Sequence, residues 1–257
     1  MNLIINGING RMGRVVLETV LADGHNVIAG FDKVKADENN KPLNSAGAEI
    51  PVYENHFDCT EKADVIIDFS HFTAIPTLIE YSLKTKTPIV VATTALEEKE
   101  EKILQDASNT IPVFHSSNMS LGINILAKMS QIAVPALEDK FNIEIIEKHH
   151  NLKADSPSGT AILLADAIND VVDTKKDYIY GRHSKKDECK ITDLGIHAIR
   201  GGTLPGEHSI LFMGPDEIIE IKHTAFSRSV FAQGAVKAAE YLCGKAPGYY
   251  TMNDLIG

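Results

Sequence analysis

A chain of 257 residues holds one large domain or two modest ones, at about 150 residues per domain. Hydrophobic residues make up 44% and charged residues 23%, enough apolar material to close a core, which excludes a mainly disordered chain. The net charge of −10 excludes a general binder of nucleic-acid backbones, which needs a basic excess, but it leaves room for a small anion held by a local cluster of donors.

In chain order, the first half alternates short β-branched runs with helical stretches. Strands are predicted over residues 3–6, 27–31, 65–69, 89–92 and 111–114, and helices over 11–22, 73–84 and 96–108. Pro88 and Pro112 stand at strand entrances, where a missing N–H matters little. The charged run Glu97, Glu98, Lys99, Glu100, Glu101, Lys102 reads as a solvated helix face. Continuous apolar strands between helices predict a doubly wound parallel sheet covered on both faces. The polar stretch 33–47 reads as a mobile loop.

The pattern changes near Asn118. A helix over 122–137, a strand over 141–148 and a helix from about 158 to 172 precede three strands with no helices between them: 190–199, 208–213 and 217–223. In the last, Glu220 and Lys222 alternate with Ile219 and Ile221, as in a sheet with one wet face. This half is predicted to be a second, α+β domain. An amphipathic, alanine-rich helix over 229–243 follows, and the sequence leaves open whether it packs back on the first domain. No apolar window approaches 18 residues, so no membrane span is expected. The first charge is Arg11, with no basic segment ahead of a long apolar run, so no secretory leader is expected either. Cys59, Cys189 and Cys243 are odd in number and widely spaced; reduced thiols in the cytoplasm are the expectation.

Gly7, Ile8, Asn9, Gly10, Arg11, Met12 and Gly13 lie between the first predicted strand and the first helix. Glycines there permit a tight turn and let backbone N–H groups approach a pyrophosphate, while the helix start supplies partial positive charge. The GxxGxxG spacing is a weak signal alone; its Rossmann-type context strengthens it. Asp32 ends the second strand, 19 residues past Gly13, where a carboxylate can accept both hydroxyls of an adenosine ribose. Asp32 favours an unphosphorylated ribose and Lys33 could pair with a 2′-phosphate, so NADH use with tolerance of NADPH is expected.

The segment 147–161 follows a strand and opens a helix. It carries His149, His150 and Lys153, then Ser158, Gly159 and Thr160 at the turn into the helix. N–H groups at a helix start, with the two hydroxyls, form a site for a carboxylate or phosphate. Histidine exchanges protons near pH 7, and lysine donates them when burial or neighbours lower its pKa. Residue types alone leave three readings open: proton transfer, a solvated loop, or a metal site, the last without a carboxylate or cysteine to complete a ligand spacing.

This segment, with Gly7–Gly13, resembles the 4-hydroxy-tetrahydrodipicolinate reductase (dihydrodipicolinate reductase) family. Further likenesses are the stretch from Ser117 to Asn124, Arg200-Gly201-Gly202, Gly206-Glu207-His208, Ser227-Arg228 and Gly234-Ala235-Val236, in order along nearly the whole chain. The resemblance implies a Rossmann-type domain, 1–118 with 229–257, and a substrate-binding and oligomerisation domain, 119–228, with an open mixed sheet. It implies NAD(P)H-dependent reduction of a cyclic dicarboxylate in lysine biosynthesis by the diaminopimelate route, a cytoplasmic homotetramer, and hinge closure. It assigns proton transfer to His149 and Lys153, and substrate binding to His150, Ser158, Gly159 and Thr160. It draws the cofactor site from Gly7, Ile8, Asn9, Gly10, Arg11, Met12, Asp32, Lys33, Ala92, Thr93, Thr94, Ser116, Ser117, Asn118 and Met119. No metal is implied.

The chain departs from the family where Ala92-Thr93-Thr94-Ala95 replaces Gly-Thr-Thr-Gly, so that either the loop uses ordinary φ or its approach to the nicotinamide differs. Asn118-Met119 replaces Asn-Phe, and Gly181-Arg182-His183-Ser184 replaces Ser-Arg-Glu-Gly. Two competing readings are another two-domain NAD(P)-dependent dehydrogenase, whose chemistry does not need the 149–160 segment in this form, and a non-catalytic dinucleotide sensor, which would bind NADH without turnover.

Overall fold

The computed structural model describes residues 1–33, 44, 45, 47–183, 185 and 188–257. Most of the loop predicted over 33–47, and Ser184, lie outside the described residues. The elements run β1 (Asn2–Asn6), α1 (Arg11–Ala22), β2 (Asn26–Phe31), β3 (Asn44–Ser45), β4 (Ala48–Glu49), β5 (Val52–Tyr53), β6 (Val65–Asp68), α2 (Ile75–Thr85), β7 (Ile89–Val91), α3 (Glu98–Ala107) and β8 (Pro112–His115). Then come α4 (Leu121–Leu137), β9 (Asn142–His149), α5 (Gly159–Asn169), β10 (Asp177–Tyr180), β11 (Asp193–Arg200), β12 (Gly206–Met213) and β13 (Ile218–Ala225). The chain closes with α6 (Ser229–Leu242), β14 (Gly248–Tyr250) and α7 (Met252–Ile256). It forms two compact units: Met1–Leu121 with Arg228–Gly257, and Gly122–Ser227.

The first unit is built on a seven-stranded sheet of order β14-β8-β7-β6-β1-β2-β5, every pair parallel. β6 and β7 are buried at every position, as strands covered on both faces must be. α1 buries Gly13, Val16, Leu17 and Val20, the i, i+3, i+4, i+7 stripe of a helix lying on a sheet. α6 packs in this unit: Ala232, Ala235, Val236, Ala239 and Leu242 join the core that holds Leu3, Ile5 and Val65, which settles the question the sequence left open. Each such aliphatic side chain contributes about 1.5–3 kcal/mol by leaving water, less for alanine.

The second unit has a five-stranded sheet of order β10-β11-β9-β12-β13. The first three strands are parallel, and β12 runs antiparallel to both β9 and β13. β9 alternates half-buried and buried positions along its whole length, so one face meets the core of α4 and α5 side chains, including Leu126, Leu164 and Ile168.

Several predicted bounds move. The helix expected over 73–84 opens as a 3₁₀ turn at Phe72–Ala74 before α2 begins, and the one expected to about 172 ends at Asn169. β5, β10 and β14 are too short to show a period in sequence. The charged run before β8 is not wholly a wet face: Glu100 is buried, and its carboxylate accepts the Glu97 N–H at 3.1 Å, capping α3.

Candidate active site

Because all strands of the first sheet are parallel, the C-terminal ends of β1, β2, β6, β7 and β8 line one edge. That edge gathers the glycine turn, Asp32, Ser70, Thr93 and Ser116. Gly7 takes φ +79°, and a Cβ there would stand 2.8 Å from the Phe69 carbonyl oxygen. A Cβ on Gly13 would stand 2.0 Å from the Gly7 carbonyl oxygen, so the third glycine is what lets α1 sit on the turn. The first turn of α1 carries no acidic residue, which keeps its N–H donors suited to an anion. Asp32 Oδ2 accepts the Asn9 N–H at 2.9 Å, and Arg14 donates to Asn9 Oδ1 at 3.1 Å, so the turn is tied to the end of β2. A cleft of about 650 Å³ is lined by Gly7, Gly10, Asp32 and Lys33 together with Glu54 and His71, which the sequence reading did not select. A glycine cradle, a helix start and a carboxylate around one cleft fit an adenine dinucleotide.

The remaining predicted cofactor residues divide. Ile8 is buried and fits against Gly30, where a Cβ would come within 2.6 Å of its side chain, so only its main chain is placed to meet a ligand. Arg11 is exposed and Met12 half-buried. Ala92 and Thr93 are buried while Thr94 is exposed. Thr93 Oγ1 donates to Asp68 Oδ2 at 2.7 Å, and Asp68 Oδ1 accepts from Asn6 Nδ2 at 2.7 Å and from the Ser70 N–H at 3.1 Å. Burial pushes the Asp68 carboxyl up against those hydrogen bonds. Asp68, missed by the sequence reading, thus pins the loop after β7. Ala95 takes φ +58°, so the reading of ordinary φ throughout this loop does not hold: alanine adopts the left-handed conformation here. Ser116 Oγ donates to the Asn118 carbonyl at 2.8 Å, and Asn118 Oδ1 accepts the Ser120 N–H at 2.9 Å, shaping a turn in which Ser117 is exposed. Met119 is buried, and a Cβ on Gly234 of α6 would stand 1.7 Å from its carbonyl oxygen.

In the second unit, Glu147 and His149 sit two residues apart on β9 and share a face. The Glu147 side chain is fully buried. Its Oε2 meets His149 Nδ1 at 2.6 Å and accepts from Arg200 Nη1 at 2.7 Å. Its Oε1 accepts from Arg200 Nη2 at 2.7 Å and from the Ser158 N–H at 3.1 Å. Burial pushes the Glu147 carboxyl up, but the hydrogen bonds from His149, Arg200 and Ser158 outweigh it and hold it at about 2. Arg200 Nη2 also donates to the Asp155 carbonyl at 2.7 Å, and the Asp155 carboxylate accepts from Lys153 Nζ at 2.8 Å. One network therefore joins His149, Lys153 and Ser158.

Ser158 is the N-cap of α5: its Oγ accepts the Ala161 N–H at 3.2 Å. Gly159 and Thr160 follow in the first turn, where N–H groups face out of the helix end. His150 is half-buried, its N–H donating to the Leu204 carbonyl at 2.8 Å. His208 lies opposite Glu147 on β12, its ring 5.1 Å from that of His149 at an interplanar angle of 76°. A Cβ on Gly206 would come within 3.0 Å of His149 Nε2, so the glycine keeps space beside that nitrogen. Glu147, Arg200 and His208 were not selected from sequence. Period-2 spacing could have found Glu147 from His149; the other two are brought in by strand register. Among the described residues no group of three or more His, Cys, Asp and Glu is placed to hold a metal ion.

A parallel sheet with a glycine turn at its edge, and an α+β unit bearing a histidine–carboxylate pair beside the start of α5, fit an oxidoreductase that uses a nicotinamide dinucleotide. Residues 1–119 match the family described as dihydrodipicolinate reductase, N-terminus, and residues 122–256 the one described as dihydrodipicolinate reductase, C-terminus. The chain belongs to the dihydrodipicolinate reductase family. It is 49% identical over 257 residues to 4-hydroxy-tetrahydrodipicolinate reductase of Caldanaerobacter subterraneus subsp. tengcongensis, covering 100% of this chain and 98% of the relative. It is 44% identical over 257 residues to the protein of that name from Clostridium novyi, covering 99% and 97%. Dipicolinate-bound dihydrodipicolinate reductase from Paenisporosarcina sp. TG-14 shares the fold, with a TM-score of 0.81 at 22% identity over 100% of this chain and 99% of that one.

Proposed function

We propose that the chain reduces 4-hydroxy-tetrahydrodipicolinate to tetrahydrodipicolinate with loss of water, in the diaminopimelate route to lysine, and that it prefers NADH while accepting NADPH. The full-length likeness to reductases of that name supports the reaction. The observation that carries the mechanism is the Glu147 carboxylate, which joins His149 to the start of α5.

The first unit holds the cofactor through the main chain of residues 7–12, Asp32 and Lys33, and the loops at Ala92–Thr94 and Ser116–Met119. When bound, the reduced nicotinamide supplies hydride. Asp32 and Glu54 set two carboxylates against Lys33 around the cleft, which supports a preference for an unphosphorylated ribose. The second unit holds the dicarboxylate. Ser158, Gly159 and Thr160 receive one carboxylate at the start of α5, His150 adds a hydrogen-bond donor and Lys153 a positive charge. With Nδ1 committed to Glu147, His149 exchanges its proton at Nε2, beside Gly206. It delivers that proton to the ring carbon next to the one that takes hydride, and Lys153 stabilises the charge that develops or donates in turn.

The chain acts in the cytoplasm as a homotetramer built through the second unit's sheet. The free thiols of Cys59, Cys189 and Cys243 support the first statement. Exposed Ile199, Met213, Ile218, Ile219 and Phe226 on or beside that sheet support the second.

An NADH-oxidation assay coupled to the synthase that makes the unstable substrate tests the function: turnover is expected, and NADH binding without turnover would overturn it. His149→Ala and Lys153→Ala should each lower kcat by about 100-fold or more. Near-normal kcat in both would refute their roles.

A further inference from the structure

His208 is 3% exposed, and its Nε2 lies 3.1 Å from Ser158 Oγ. Its Nδ1 is buried and has no hydrogen-bond partner among the described residues. Burial first, then the neighbouring His149, pulls the ring down to about 3, so it is neutral at pH 7 and carries one hydrogen. That hydrogen has two places to be. On Nδ1 it would be a buried donor with no acceptor, the rarer and costlier kind of orphan. On Nε2 it donates to Ser158 Oγ and leaves only a lone pair without a partner.

The second arrangement has a consequence for Ser158. A hydroxyl accepts two hydrogen bonds and donates one. Ser158 Oγ already accepts the Ala161 N–H that caps α5. With His208 Nε2–H as its second donor, both acceptor positions are filled and the direction of the remaining O–H is set by tetrahedral geometry. In the opposite arrangement the hydroxyl hydrogen would be spent on the histidine.

We propose that His208 is a positioning residue for the reductase: its Nε2–H occupies the last acceptor position of Ser158 and so commits the serine hydroxyl to donate to a carboxylate of the substrate. The proposal rests on the reading of the α5 start as the carboxylate site. It assigns a role to a residue that need not touch the substrate, and it explains why an imidazole is buried at a position that an apolar side chain would fill at lower desolvation cost.

The test uses pyridine-2,6-dicarboxylate as a competitive probe of the full-length enzyme, with NADH affinity measured alongside. His208→Phe removes the donor and should weaken dicarboxylate binding by about 10-fold, a charge-assisted hydrogen bond's worth, with NADH affinity unchanged. His208→Gln, which can present an N–H near the same point, should recover most of that loss. In a Ser158→Ala background His208→Phe should have no further effect, because the serine is its only route of action. A loss from His208→Phe that persists in the Ser158→Ala background, or a His208→Phe variant that binds normally, overturns the proposal. If Ser158→Ala itself binds the dicarboxylate normally, the carboxylate-site reading fails first. The wild-type protein gives a direct check that needs no substitution: nitrogen-15 NMR of its histidines should show His208 neutral with the hydrogen on Nε2, and a hydrogen on Nδ1 would overturn the proposal.

Discussion

Glu147→Gln is isosteric, yet it should damage the protein more than its size suggests. The carboxylate accepts four hydrogen bonds with no exposed surface, two on each oxygen. An amide keeps one acceptor oxygen and turns the other position into a donor. Whichever way it is oriented, one Arg200 nitrogen and either His149 or Ser158 then face a donor. The Glu147 carboxyl sits at about 2 against an ordinary 4.5. At about 1.4 kcal/mol per unit, that depression corresponds to about 3 kcal/mol. Breaking a buried pair from one side costs about 3–5 kcal/mol, which agrees. For a chain of this size the loss should lower Tm by about 6–12 °C at pH 7. Thermal unfolding followed by circular dichroism measures it. The sign follows from a lowered carboxyl: the advantage of wild type over the variant is complete above pH 4.5 and disappears as pH falls towards 2. Equal Tm values at pH 7, or a gap that widens on acidification, would show that the Glu147 carboxylate does not hold this network together.

Gly206→Ala should place a methyl group against His149 Nε2 and lower kcat by about 10-fold or more with little change in Tm; unchanged steady-state kinetics would put the reacting nitrogen elsewhere. Ala95→Gly should relieve the left-handed alanine and raise Tm by about 2 °C, net of the glycine's extra chain entropy; a fall in Tm would contradict the strain. Asp32→Ala should raise KM for NADH and shift the ratio of kcat/KM for NADPH over NADH upward by about 10-fold, and an unchanged ratio in parallel assays would remove Asp32 from cofactor choice.

Different parts of the chain carry different kinds of sequence signal. β6 and β7 are apolar throughout because both their faces are covered, so the run itself marks a central parallel strand. β9 shows its single core face as alternation. The glycine turn and the His149–Thr160 segment are contiguous, and local stretches keep their spacing in any fold. Arg200 and His208 reach Glu147 only because β11 and β12 flank β9 in a particular register, pairing Arg200 with His149 and His208 with Glu147. Nothing within a strand announces its neighbour's register. Asp68 escaped notice for a related reason: its partners come from β1 and from the loop after β7, on either side of it in the sheet. Glu100 misled because a capping carboxylate looks like any other charge in a charged run.

A crystal structure of the protein with NADH and pyridine-2,6-dicarboxylate would locate the diacid directly. One carboxylate should lie on the N–H groups and hydroxyls at Ser158, Gly159 and Thr160, with the ring within hydrogen-bond reach of His149 Nε2. A diacid lodged at another place, with the start of α5 making no contact to it, would mean that this helix start is not the carboxylate site.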